Sequence, residues 1–316
     1  MTTVTELPDQ DAAVRPAMMR DFRRHSGSIL AGAFAAAAFD EVALIPVAAA
    51  VDRSGRFEQN FLDRGVRSGF STLLAIWGDA DDRAAEGDRL KLLHRDVRGH
   101  GTDDFAGVRY SALNPALWNW IAASGIFLIM NSFTPATGLR LTPAEEEAAY
   151  QQLLTAFGAL ELPGASAKLP ASYLEAVRYY DDMVETQLAA NPFLNRVTVG
   201  LTRLPLPTLL LPKPVRLALM PPWLVLRPLA GRVIKICSFG ILHPGIRALT
   251  GFTWRPRHER EFTLYTRGLQ VLWRVLPDRL LLAPLAYNRL QYEKLVRLHR
   301  SVALESFAPL GCPAAG

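Results

Sequence analysis

Cysteine is nearly absent: the 316 residues contain two, Cys237 and Cys312, far apart and without metal-ligand spacing. That excludes a disulfide framework and a zinc site and favours a reducing, cytoplasmic compartment. Uninterrupted apolar runs are missing as well. Residues 29 to 51 are broken by Asp40 and Glu41, and residues 117 to 133 contain Asn119, Ser124 and Asn131. Both fall short of the roughly 20 apolar residues that a bilayer span requires, so both read as buried core helices. The first fourteen residues lack the basic and apolar regions of a secretory signal and read as a disordered tail, 1–14. No P-loop, dinucleotide fingerprint or Ser-His-Asp set is found. Acidic residues are scarce toward the end: from Arg196 onward 18 Lys and Arg stand against 5 Asp and Glu, where the part before it has 17 against 25. Aromatic or Gly-rich recognition motifs do not accompany these cations, which argues against nucleic acid as a partner. They are interleaved with Leu, Pro and Trp, as in Leu209 to Arg232. That pattern fits solvated helix faces or a peripheral membrane contact, so the cytoplasmic reading includes membrane association.

What remains is a globular composition, half apolar and about a fifth charged, with enough material for one large core. The signals are helical. Asn114 and Pro115 open one helix, Thr142, Pro143 and Glu145 a second, and Ser172 with Glu175 a third, each as a cap, a first-turn proline or a capping-box acid. Glu259 to Leu276 and Leu285 to Ser306 repeat apolar residues three and four apart. Pro205 to Pro228 is too punctuated for a long helix. The expectation is an all-α fold, a single helical domain over 15–316, with an irregular Pro-rich connector near 200–230.

Two segments draw attention. In 82 to 99, Leu90, Leu93, His94 and Val97 share one helix face and Gly99 suits the helix end. His94 therefore points inward, either as a hydrogen-bonded core residue or as a ligand whose lone pair is kept from water. In the preceding helix, about Phe61 to Trp77 and closed by Gly78 and Asp79, Arg64, Arg67 and Ser68 lie at i, i+3 and i+4. They form a solvated basic face or converge on one buried anionic or dipolar group.

The order of these pieces resembles the core of the latex clearing protein and MpaB oxygenase family. An apolar segment ends at Pro46, R-x-x-R-S follows at Arg64 to Ser68, a helix closes at Gly78 and Asp79, and L-H-x-x-V-x-G follows at Leu93 to Gly99. Tyr110 to Trp120 then matches Y-x-A-x-N-P with a tryptophan five residues after the proline, and residues 239 to 254 are similar to the family's C-terminal signature. The resemblance covers roughly residues 28 to 290 and implies a globin-like outline holding one haem b. His94 matches the proximal iron ligand, Arg64 a conserved distal arginine, Arg67 a basic position and Ser68 a position usually occupied by threonine. His100, directly after Gly99, either reaches a propionate or simply faces water; with it the cofactor set is His94, Arg64 and His100, and Arg64, Arg67 and Ser68 are the implied catalytic group. O2 is the co-substrate, and the organic substrate is an apolar, alkene-bearing small molecule of isoprenoid or polyketide type.

Several positions depart from that pattern. Rubber-cleaving members have a lysine where Arg67 stands, and a guanidinium that stays protonated cannot coordinate iron. Their proposed base, a glutamate, falls in the stretch that is Pro46 to Ala50 here and contains no acid, and Ala122 stands where many relatives have histidine. Rubber is therefore not the expected substrate. The alternative reading is a haem- or lipid-binding peripheral membrane protein without turnover.

Overall fold

The computed structural model describes residues 13–53, 61–162, 164 and 168–307. Apart from Ala13 and Val14, the tail expected over 1–14 lies outside the described residues. Among those described the fold is all-α, as expected, with one two-stranded ribbon.

Helix α6, Pro115–Thr137, lies at the centre. Asn114 caps it, accepting from Ala116 and Leu117, and Gly138 ends it in the left-handed region at φ 78°. Among the described residues it is the one helix long and apolar enough to cross a bilayer. Its sides are instead taken by α1 (Pro16–Ser26), α2 (Ala36–Ala43), α7 (Pro143–Gly158) and α12 (Pro256–Val275). Trp120, Ile126 and Phe133 are buried between them. The Thr142–Glu145 capping box that starts α7 forms as expected, and Glu145 also accepts from Arg15 at 2.6 and 2.7 Å.

The remaining helices surround this centre: α3 (Ile45–Asp52), α4 (Phe61–Trp77), α5 (Ala80–His94), α8 (Tyr173–Thr186), α9 (Pro192–Gly200), α10 (Lys213–Ile241), α11 (Pro244–Leu249), α13 (Asp278–Leu281) and α14 (Pro284–Phe307). The last of them seals the first. Ala283 N–H donates to Gly27 O at 2.8 Å, Ser28 pairs with Leu282, and a Cβ on Gly27 would lie 2.5 Å from that of Ala286. Arg24 holds Asp278 and Arg23 holds Glu293, each through two short bonds.

Three expectations need correcting. The irregular connector near 200–230 shrinks to 204–212, because α10 begins at Lys213 and runs through Pro221, Pro222 and Pro228. Each proline removes its own N–H and crowds the carbonyl four residues back, and where the chain faces outward that carbonyl can tilt toward water. Gly99 does not end a helix. It lies in β1 (Arg98–His100), paired antiparallel with β2 (Arg109–Ser111) opposite Tyr110, where a Cβ would sit 3.2 Å from the Tyr110 hydroxyl. Asp79 opens α5 as the cap of a capping box with Asp82 rather than closing α4.

Candidate active site

Helix α5 packs by close backbone approach rather than by an apolar stripe. Its buried residues are Glu86 and Gly87, and a Cβ on Gly87 would lie 2.5 Å from the Ala159 carbonyl oxygen. Glu86 is held below the usual carboxylate range by Arg89, which reaches it at 2.7 and 2.5 Å, with Ser71 of α4 also bonded to the pair. The inward face therefore runs through Glu86, Gly87, Leu90 and His94, spaced as three- and four-residue steps require. Leu93, expected on that face, is 57% exposed instead.

His94 is the last residue of α5 and half-buried. Its Nδ1 lies 2.8 Å from the Leu90 carbonyl oxygen. A carbonyl only accepts, so Nδ1 is the nitrogen that carries the proton, and in the neutral ring Nε2 has the lone pair. The ring stands edge-on to Trp118 at 5.5 Å, and Trp118 Nε1 donates to Leu160 O at 2.8 Å. One imidazole, held as the Nδ1–H tautomer by a backbone carbonyl, is one kind of axial ligand that haem iron accepts. Among the described residues no group of three or more His, Cys, Asp or Glu gathers as a metal site. The His94 ring, with its Nδ1–H on the Leu90 carbonyl, is compatible with a cofactor that takes a single axial nitrogen donor.

A second cluster forms where α2 meets α4 and α6. Asp40 and Glu41 are neighbours on α2 and turn to different surroundings. Asp40 is buried in the core, where Tyr180 donates to its Oδ2 at 2.8 Å and Trp120 Nε1 donates to its carbonyl at 3.0 Å. Burial lifts its carboxyl well above the usual range. Glu41 meets Arg64 and the hydroxyl of Ser124. Burial pushes its carboxyl up to about 7, while the Arg64 charge and the Ser124 bond pull it down. Arg64 in turn is depressed by burial, supported by Glu41, and opposed by Arg53 and Arg67. Arg64 is nevertheless exposed and Glu41 only half-buried.

The other sequence candidates are placed as follows. Arg67 is exposed and acts on Asp63, which accepts from the backbone N–H of Thr208 at 2.6 Å and of Leu209 at 3.0 Å and from the Thr208 hydroxyl. Ser68 is exposed. His100 is exposed on β1 opposite Arg109, and Trp120 is a packing residue, wholly buried. Glu41 was missed as a site residue. Its signal was there, as the acid pair interrupting the run from 29 to 51.

The family model described as "ER-bound oxygenase mpaB/B'/Rubber oxygenase, catalytic domain" matches residues 20–271. The chain belongs to this family. The MpaB/rubber oxygenase match spans both clusters, from α1 into α12, and makes the protein an oxidoreductase of the oxygenase class. No curated protein and no solved structure matches it. Within the family frame, the arginine of the R-x-x-R-S motif faces an acid supplied by α2 rather than one from Pro46 to Ala50.

Proposed function

We propose that this MpaB/rubber oxygenase member holds one haem b through Nε2 of His94 and oxidises an apolar, alkene-bearing small molecule of isoprenoid or polyketide type with O2. The observation that carries this reading is the 2.8 Å bond from His94 Nδ1 to Leu90 O, which leaves the other ring nitrogen free to ligate. Bound there, haem would supply the activation of O2.

The remaining tasks fall to side chains. Arg64 is a fixed cation next to a titratable carboxyl, and Arg67 and Ser68 follow it on α4. Donors placed in this way stabilise negative charge that develops on oxygen atoms during oxidation. Arg67 stays protonated and donates only. Glu41, poised near neutrality, can hold or accept a proton at its carboxylate beside Arg64. His100, exposed on the strand that follows α5, and Arg64 are the groups offered to haem propionates. On this reading the protein sits in the cytoplasm, in association with a membrane surface.

Purified protein reconstituted with haem should show a Soret band that His94→Ala abolishes and added imidazole restores. It should also consume O2 with an isoprenoid or polyketide alkene. Absence of the band, or an unchanged band in His94→Ala, would overturn the ligand assignment. A haem-loaded protein that takes up no O2 with any such alkene would leave binding without turnover.

A further inference from the structure

We propose that the loop before α10 and the N-terminal half of that helix, residues 209 to 229, form a monotopic membrane anchor that seats this oxygenase on an anionic lipid surface. The proposal is independent of the haem assignment.

The segment is exposed on nearly every side. Leu209, Leu217, Leu224, Val225, Leu226 and Leu229 all present large apolar side chains to solvent. Half-buried residues recur at Arg216, Trp223, Arg227 and Ala230, which marks the side turned to the body. Trp223 Nε1 ties that side down by donating to Leu204 O at 2.8 Å. Val225 lies about 180° around the axis from Arg216 and is the most exposed large apolar residue of the helix, at 78%. The outward face carries no charge, since Arg216 and Arg227 are the only charged residues between 214 and 231 and both lie on the inward side. A helix apolar around its exposed circumference requires a low-dielectric neighbour.

Charge selects the neighbour. Between 186 and 258 there is no Asp or Glu, so the segment itself supplies no anion to repel acidic headgroups, and Asp63, the carboxylate bonded at its root, is buried under the Thr208 and Leu209 amides. Arg203 and Lys213 stand exposed at its root, where snorkelling cations meet such headgroups. Geometry sets the depth. The run Leu217–Leu226 spans about 15 Å of helix, half the hydrocarbon thickness of a bilayer. Pro221, Pro222 and Pro228 deprive the carbonyls of Leu217, Ala218 and Leu224 of their helical donors. Those carbonyls need water, which the interfacial layer supplies and the hydrocarbon centre does not. The helix therefore lies in the headgroup and acyl boundary.

The test is co-sedimentation of the full-length protein with phosphatidylcholine vesicles and with phosphatidylcholine–phosphatidylserine vesicles. The protein should pellet with the mixed vesicles and more weakly with the neutral ones. The triple variant Leu224→Asp, Val225→Asp, Leu229→Asp should bind about tenfold more weakly or worse, with a melting curve close to that of the wild type because these side chains lie mostly on the solvent side. Should that variant unfold, Arg203→Glu with Lys213→Glu should still abolish the preference for phosphatidylserine. The proposal fails if the wild type stays in the supernatant with both vesicles or if the variants bind as well as the wild type. It also fails if lipid-free gel filtration gives a dimer that the triple variant splits, since a second copy would then own this face.

Discussion

Tyr180 donates its hydroxyl to Asp40 Oδ2 at 2.8 Å, joining α8 to α2 one residue before Glu41. The bond lies in the core, and burial raises both groups, which favours the uncharged form of the Asp40 carboxyl over the charged one. Its other oxygen, Oδ1, is buried without a partner.

The upward shift at Asp40 makes a specific prediction. Asp40→Asn keeps the shape and lacks a charge to desolvate, so its melting transition should stay within about 1 kcal/mol of the wild type at pH 7. Tyr180→Phe strands the carboxyl without its donor and should cost roughly 1–3 kcal/mol. Chemical denaturation of both variants checks the order, and the reverse order would mean that Asp40 is ionised.

Glu41 gives a pH signature that requires no substrate. Its carboxyl is raised from the ordinary carboxylate value to about 7, so the folded state binds the proton more tightly than the unfolded chain. Stability on this account is fully present below the unfolded value and is lost as the pH rises toward 7. Glu41→Gln, which cannot ionise, should match the wild type near pH 4.5 and exceed it by roughly 1–3 kcal/mol at pH 8. Melting curves across that range decide it; an equal difference at both ends would place the titration elsewhere.

Gly87 tests how α5 is held. In an open helix, alanine would gain about 1 kcal/mol over glycine. Here its Cβ would meet the Ala159 carbonyl oxygen at 2.5 Å, and backbone cannot yield cheaply. Gly87→Ala should therefore lose about 1–3 kcal/mol, and by moving α5 it should also weaken haem retention in the reconstituted protein. A stabilised variant would contradict the packing.

Local signals in the sequence carried much of this. The Asn114 cap, the Thr142 box and the span of α4 were legible because a cap or an apolar period depends on a few adjacent residues. The family's motif order was legible too. What escaped was tertiary. Helix α5 turns inward through Glu86 and Gly87, and nothing in a periodicity marks a glycine that lets another segment's carbonyl approach. The hairpin from 98 to 111 is only three residues a side, too short for alternation to register. The prolines of α10 suggested irregularity, although an exposed helix tolerates lost donors. The pairing of Glu41 with Arg64 joins positions on different helices, which spacing along the chain does not encode.

The seam between the first helix and the last redraws the boundary of the folding unit. The family match stops at residue 271, yet Gly27 and Ser28 are bonded to residues 282 and 283, and Arg23 to Glu293. A protein trimmed at the end of the match would have Gly27 and the buried Trp77 beside it facing water, Arg23 without Glu293, and Arg24 left with Asp21 alone. The indivisible unit therefore extends at least to Glu293, and the residues beyond the family signature are part of the closure of the core rather than an appendage to it.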